Sequence, residues 1–175
     1  MKLLFLCCML IVLQNETMAQ AFTGKIYIVR HAEKVTTGDD PVLTDAGYRR
    51  AGDLKRKLKA KGIKRIYVTQ FKRTQLTADS LRIGLRIDTV HYHHDNYDGL
   101  LQSVRQHHDA GRTILIIAHS NTIPTIIRRL GVLNYPLADI PDWQFDNLFI
   151  VTFPGGVGTV SKTKYGARSY PPVSN

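Results

Sequence analysis

Two arginines and two histidines follow three apolar segments of the sequence. Arg30 and His31 end the first segment, Arg73 follows the second, and His119 ends the third. Arginine binds phosphate through paired hydrogen bonds, and imidazole can act as a nucleophile. If the three segments are parallel strands, their carboxyl ends meet at one edge of the sheet, where ligands of open α/β sheets bind. We therefore predict a phosphate pocket at that edge.

The order of apolar and amphipathic segments predicts the elements that position these residues. Strands are predicted at 24–29, 63–69, 85–90, 113–118, 147–153 and 159–164. Helices are predicted from 44 to a glycine at 62, after the strand at 63–69 up to a glycine at 84, from 100 to a glycine at 111, and over 123–130. Alternating strands and helices favour parallel pairing and right-handed crossovers. We predict a three-layer α/β sandwich with a mostly parallel sheet, helices on both faces and an antiparallel C-terminal edge hairpin, with 113–118 as a central strand.

The first 19 residues have the pattern of a secretory signal peptide. A lysine precedes an apolar run from Leu3 to Leu13, and small residues end at Ala19. The run is too short to span a bilayer comfortably, so a retained anchor is only the alternative. We predict cleavage after Ala19, a periplasmic or secreted protein without stable membrane insertion, one domain over 20–166 and a loose tail over 167–175. Both cysteines fall within the signal, so no thiolate chemistry is expected.

The formal net charge of +10 favours anionic partners. Many of the cations lie in the predicted helix that begins at Thr44, where they are typical of a solvated face. No aromatic residues interleave with them, so a nucleic-acid groove is not expected. The partner predicted from the strand ends is a small phosphorylated compound or a phosphate ion. The sequence indicates no oligomeric state.

Four short motifs, in order, resemble those of the histidine phosphatase superfamily, in its phosphoglycerate mutase-like branch. They lie at residues 30–33 (RHAE), 43–47 (LTDAG), 73–78 (RTQLTA) and 118–120 (AHS). Two small departures occur, because Ala32 and Ala118 replace the glycines that are usual in the family. The resemblance covers about residues 25–130, which is most of the predicted mature chain.

The resemblance implies a division of roles among the residues of the pocket. His31 would be the nucleophile that forms a phosphohistidine, held as a neutral tautomer by a backbone carbonyl. Arg30, Arg73 and His119 would bind the phosphoryl oxygens, with His119 protonated. Glu33, Ser120 and Asn121 are further candidates for substrate binding. The family needs no metal or other cofactor.

The residue that protonates the leaving group stays open. In the resembled branch, an acidic residue between the second arginine and the second histidine has this role. Asp98 is favoured because it precedes the predicted start of the third helix, and Asp95 and Glu33 are alternatives. Each of the three also suits an ordinary loop or capping carboxylate.

A metal site is the other chemistry that this part of the chain suggests. His91, His93, His94 and Asp95 have the side chains that zinc binds, and the first two would share a face in a strand. Because they fall in a predicted surface loop and the family needs no metal, none is predicted. Trp143 and Phe145 are interpreted as packing residues.

These observations favour an exported phosphomonoesterase that acts without metal through a phosphohistidine on His31. A phosphate-binding module of the same fold without turnover is the alternative, kept open by the uncertain acid. A phosphoryl mutase is a further alternative. The predicted signal peptide argues against it, because phosphorylated glycerates are cytosolic metabolites.

Overall fold

The computed structural model describes residues 21–172, so the predicted signal peptide and residues 173–175 lie outside the described chain. The strands are β1 (Lys25–Arg30), β2 (Arg65–Thr69), β3 (Thr89–Tyr92), β4 (Thr113–Ala118), β5 (Asn147–Thr152) and β6 (Thr159–Lys164). The helices are α1 (Asp45–Leu58), α2 (Lys72–Leu85), α3 (Tyr97–Gln106) and α4 (Ile123–Arg129). Within residues 21–172, no helix is long and apolar enough to cross a membrane.

The six strands form one sheet in the order β3-β2-β4-β1-β5-β6. Strands β3, β2, β4 and β1 run parallel to one another. Strand β5 is antiparallel to β1, and β6 is antiparallel to β5. This confirms the predicted α/β fold with its antiparallel edge hairpin. The most apolar strand, β4, lies between β2 and β1, as its uninterrupted apolar sequence predicts.

Side chains of β4 alternate between two hydrophobic cores, one on each face of the sheet. Ile114 and Ile116 pack with residues of α3 and α4 on one face. Leu115 and Ile117 pack with residues of α1 and α2 on the other. Helices therefore cover both faces, which gives the predicted three layers and leaves the carboxyl edge of the parallel strands open.

The predicted boundaries are wrong around β3. The second helix does not end at Gly84 but continues to Leu85 and stops at Arg86, whose φ is 54°. Gly84 instead faces α1, where a Cβ would lie 2.7 Å from the flexible side chain of Lys55. The third strand accordingly begins at Thr89, later than predicted, and α3 begins at Tyr97, earlier than predicted.

The start of the predicted tail is held against the domain. Arg50 donates to the carbonyl oxygens of Tyr165 and Ala167, at 3.3 and 3.0 Å. The N–H of Ser169 donates to Asp146, and its hydroxyl accepts from the N–H of Phe145. Residues 167–169 are therefore anchored, in contrast to the loose tail that their composition predicted.

Candidate active site

The parallel strands bring the four predicted residues to one edge of the sheet. Arg30 ends β1, and His31 follows it; His119 follows the neighbouring strand β4. The ring centroids of the two histidines are 5.3 Å apart, and both side chains are buried. Arg73 lies in the first turn of α2, which begins three residues after β2 ends, and its charge acts on both imidazoles.

A backbone hydrogen bond fixes the tautomer of His31. Its Nδ1 lies 2.8 Å from the carbonyl oxygen of Ala32. Because a carbonyl can only accept, Nδ1 carries the proton and Nε2 keeps its lone pair. The N–H of Ala32 in turn donates to Thr77 Oγ1 in α2, at 2.9 Å, and Thr77 donates to the carbonyl of Arg73. The nucleophile segment is thus tied to the helix that carries the second arginine.

The start of α1 holds the segment after His31 from the other side. Thr44 caps the helix by accepting from the N–H of Gly47. A Cβ on Gly47 would lie 2.1 Å from the carbonyl oxygen of Glu33, so only glycine permits this close approach. This contact accounts physically for the glycine of the LTDAG motif.

Both histidines are neutral in the protein alone. Burial lowers the pKa of His31 to about 3, and neighbouring cationic groups act in the same direction. Burial also lowers the pKa of His119 to about 3, with further lowering by Arg73, His94 and Arg30. The opposite charge states expected from the sequence are therefore not a property of the protein groups by themselves. A phosphate dianion between the rings would supply the charge that favours protonating one of them.

The two arginines keep unpaired donors in the pocket. The Nε–H groups of Arg30 and Arg73 are buried and have no hydrogen-bond partner among the described residues. Buried donors without partners are rare, and an anion is the ligand that satisfies them. Each guanidinium also stacks on an aromatic ring: Arg30 on Phe145 at 4.2 Å and Arg73 on Phe71 at 4.1 Å.

The rest of the Arg30 guanidinium is bound by the loop before β5. Its Nη1 donates to the carbonyls of Asp142 and Pro141, at 2.8 and 3.3 Å. Its Nη2 lies 3.1 Å from the Asp142 carboxylate. The side chain of Arg30 is 8% exposed and that of Asp142 is 93% exposed, so water competes strongly for the carboxylate.

The turn after His119 completes this edge. His119 Nε2 lies 3.2 Å from Thr69 Oγ1, at the end of β2. The hydroxyl of Thr122 accepts from the His119 N–H and makes no capping hydrogen bond to α4. Ser120 and Asn121 lie in this turn, where the Ser120 carbonyl accepts from the N–H of Ile140.

Comparison with known proteins gives a family match over part of the chain. The family model of the histidine phosphatase superfamily (branch 1) matches residues 26–95, which include Arg30, His31 and Arg73. The match covers 70 of the 175 residues, so this part of the chain is similar to the histidine phosphatase superfamily. No curated protein is significantly similar to it in sequence.

Solved structures of the superfamily share the fold. The protein histidine phosphatase SixA, complexed with tungstate, is 19% identical with a TM-score of 0.61, over 80% of this chain and 96% of that one. The alpha-ribazole phosphatase from Shigella flexneri is 14% identical with a TM-score of 0.61, over 86% and 100%. The phosphoserine phosphatase from Entamoeba histolytica is 14% identical with a TM-score of 0.56, over 83% and 98%.

None of the three predicted acids is bonded to the two pocket histidines. Asp98 pairs with Arg129 at 2.8 Å. Arg129 ends α4, about 9 Å along the helix from the end that adjoins His119. Asp95 is exposed, and its hydrogen bond to His93 lowers the pKa of the Asp95 carboxyl. Glu33 accepts from Arg50 Nε through both of its carboxylate oxygens. Within the described residues, none of the three carboxylates makes a hydrogen bond to His31 or His119.

The sequence analysis did not predict several side chains that line the pocket. The Phe145 ring lies 6.2 Å from His31, so this residue borders the pocket and does not only pack near the last strand. The His94 ring lies 6.0 Å from His119 and 5.3 Å from Phe71. Asp142 lies beyond His119 in the chain, outside the interval in which the family pattern places an acid. These residues lie on loops, where no local pattern indicated their position.

Proposed function

We propose that this protein hydrolyses phosphomonoesters through a phosphohistidine on His31, without a metal ion. One observation carries the proposal. A neutral imidazole with its tautomer fixed, and Nε2 free of its own proton, lies beside two guanidiniums that have unpaired buried donors. The nucleophile and the anion-binding groups are thereby in place before substrate arrives.

The proposed reaction has two displacements at phosphorus. In the first, His31 Nε2 attacks, the ester P–O bond breaks, and its electron pair leaves with the oxygen. In the second, water attacks and gives up a proton to the solvent, the P–N bond breaks with its electron pair returning to His31 Nε2, and phosphate is released. Arg30, Arg73 and His119 stabilise the negative charge on the phosphoryl oxygens in both steps.

The absence of a carboxylate bonded to either histidine in residues 21–172 favours substrates whose leaving groups need little protonation. Aryl phosphates meet this condition. Phosphohistidine also meets it, because its leaving imidazole takes a proton from solvent at the other nitrogen. SixA is named a protein histidine phosphatase, and the shared fold makes phosphohistidine hydrolysis our second candidate function.

The test is turnover of p-nitrophenyl phosphate and of phosphohistidine in the presence of EDTA, with mass spectrometry of the protein trapped during turnover. We expect phosphate release and a phosphoryl group on His31. The variant His31→Ala should lose both, whereas His107→Ala, at an exposed position outside the pocket, should retain both. Phosphate binding without release would instead support a non-catalytic module, and transfer to a second hydroxyl compound would support a mutase.

We also propose that the protein is exported, on the basis of the sequence at residues 1–19. N-terminal sequencing of the protein from an expressing bacterium should begin at Gln20. A protein that retains Met1 and stays in the cytoplasm would contradict export and would leave the proposed hydrolysis untouched.

A further inference from the structure

A second cluster of ligand-type side chains lies in the turn between β3 and α3. His93, His94 and Asp95 each place one donor atom within 4.8 Å of the other two. The His93 and His94 rings have centroids 4.9 Å apart, and His93 Nδ1 contacts an Asp95 oxygen at 2.5 Å. His91, which the sequence grouped with them, does not belong to the cluster.

We propose that His93, His94 and Asp95 bind a divalent transition metal ion of the zinc type. Two imidazoles and one carboxylate form a ligand set that Zn²⁺ prefers over Mg²⁺, which selects oxygen ligands. Donors around a tetrahedral Zn²⁺ lie about 3.4 Å apart, given metal–ligand distances of about 2.0–2.2 Å. The three donor atoms therefore need to shift by only about 1–1.5 Å to share one ion.

Hydrogen bonds hold the main chain of the turn, so this adjustment falls to the side chains. The His94 N–H donates to the carboxamide oxygen of Gln70 at 3.1 Å, and the Asn96 N–H donates to the His93 carbonyl at 3.0 Å. Asn96 then caps α3 by accepting from the N–H of Gly99. The side chains of His93 and Asp95 are 59% and 63% exposed, so binding an ion costs them little desolvation.

The position of the cluster places the ion at the rim of the phosphate pocket. His94 is the link, because its ring lies 6.0 Å from that of His119. Three protein ligands leave one tetrahedral position open to water or to an oxygen of a bound phosphate. The ion is not required for the proposed hydrolysis, and its binding can be measured whether or not the protein is a phosphatase.

The first test is calorimetric titration of the full protein with ZnCl₂ and, separately, MgCl₂. We expect one Zn²⁺ per chain and no binding of Mg²⁺. The variants His93→Ala and Asp95→Asn should each weaken Zn²⁺ binding about tenfold or more, whereas the neighbouring control His91→Ala should not. Circular dichroism checks that each variant is folded. Unchanged affinity in His93→Ala and Asp95→Asn, or an equal loss in His91→Ala, would overturn the proposal.

The second test locates the ion. Paramagnetic Cu²⁺ at substoichiometric amounts should broaden the NMR signals of the His94 and His119 rings before that of His107. Broadening of His107 first would show that the ion binds elsewhere on the surface and would also overturn the proposal.

Discussion

The Asp142 carboxylate accepts from Arg30 Nη2 and should therefore compete with an anion that binds in the pocket. Replacing it, as in Asp142→Asn, removes a competing negative charge and frees Nη2 for phosphate. Because the carboxylate is almost fully exposed, the pair is worth at most about 1 kcal/mol, so we expect about two- to fivefold tighter binding of inorganic phosphate. Calorimetry or product inhibition measures this. The control Asp139→Asn, in the same exposed loop, should bind phosphate as the wild type does, and unchanged affinity in Asp142→Asn would contradict the competition.

The two pocket imidazoles should resist protonation when the protein is titrated with acid. With both pKa values lowered to about 3 from the ordinary imidazole value of 6.5, the His31 and His119 rings should remain neutral from pH 8 to pH 5. Saturation with phosphate should raise the pKa of His119, because a dianion favours the cation. Long-range ¹⁵N NMR distinguishes these states. A midpoint near 6.5 for either ring in the unliganded protein would refute the assignment.

At the scale of elements, one hydroxyl joins the end of β1 to α2. Thr77 accepts from the buried Ala32 N–H, so Thr77→Val leaves that donor unpaired. We expect the free energy of unfolding to fall by about 1–3 kcal/mol and the rate of phosphoenzyme formation to fall as His31 loses its fixed position. Urea unfolding and rapid-quench phosphorylation measure the two effects. Thr163→Val on the exposed strand β6 is the matched control; if both variants behave alike, the bond has no such role.

Helices and strands could be predicted where burial requires a recognisable pattern of apolar residues. They could not be predicted reliably where an element is partly exposed. The apolar runs of β1 and β4 indicated buried parallel strands, and the turn residues between β5 and β6 indicated the hairpin. In contrast, β3 is a partly exposed edge strand without an apolar run, and Gly84 meets a neighbouring helix instead of ending its own. The local sequence does not indicate the edge position of β3 or the contact of Gly84, because both depend on which elements pack next to them in the fold.

The same contrast holds for the site. Arg30, His31 and His119 could be placed together because each follows an apolar run that marks the end of a strand. Parallel pairing then brings the carboxyl ends of these strands to one edge of the sheet. Asp142 and Phe145 reach the pocket from a loop more than 100 residues after β1. His94 reaches it through its contact with Phe71. Their roles depend on how loops pack, which neither periodicity nor a motif encodes.

For the molecule as a whole, the buried neutral histidines make stability depend on pH. The unfolded chain binds protons on these residues near pH 6.5, whereas the folded protein does so only near pH 3. The unfolded state therefore holds more protons between these values, and the free energy of unfolding should decrease as the pH falls from about 6.5 towards 3. Urea unfolding at several pH values tests this. His119→Asn should have a shallower dependence than the wild type, and identical slopes would contradict this origin.

The loop before β5, which binds the guanidinium of Arg30, also contains a fluorescent residue. Trp143, the single tryptophan of the sequence, lies between Asp142, which pairs with Arg30, and Phe145, which stacks on the same guanidinium. We expect an anion that takes the place of Asp142 to change the surroundings of this indole, which follows Asp142 directly in the chain. Its fluorescence is a label already present in the native sequence, able to follow occupation of the pocket in real time without a chromogenic substrate.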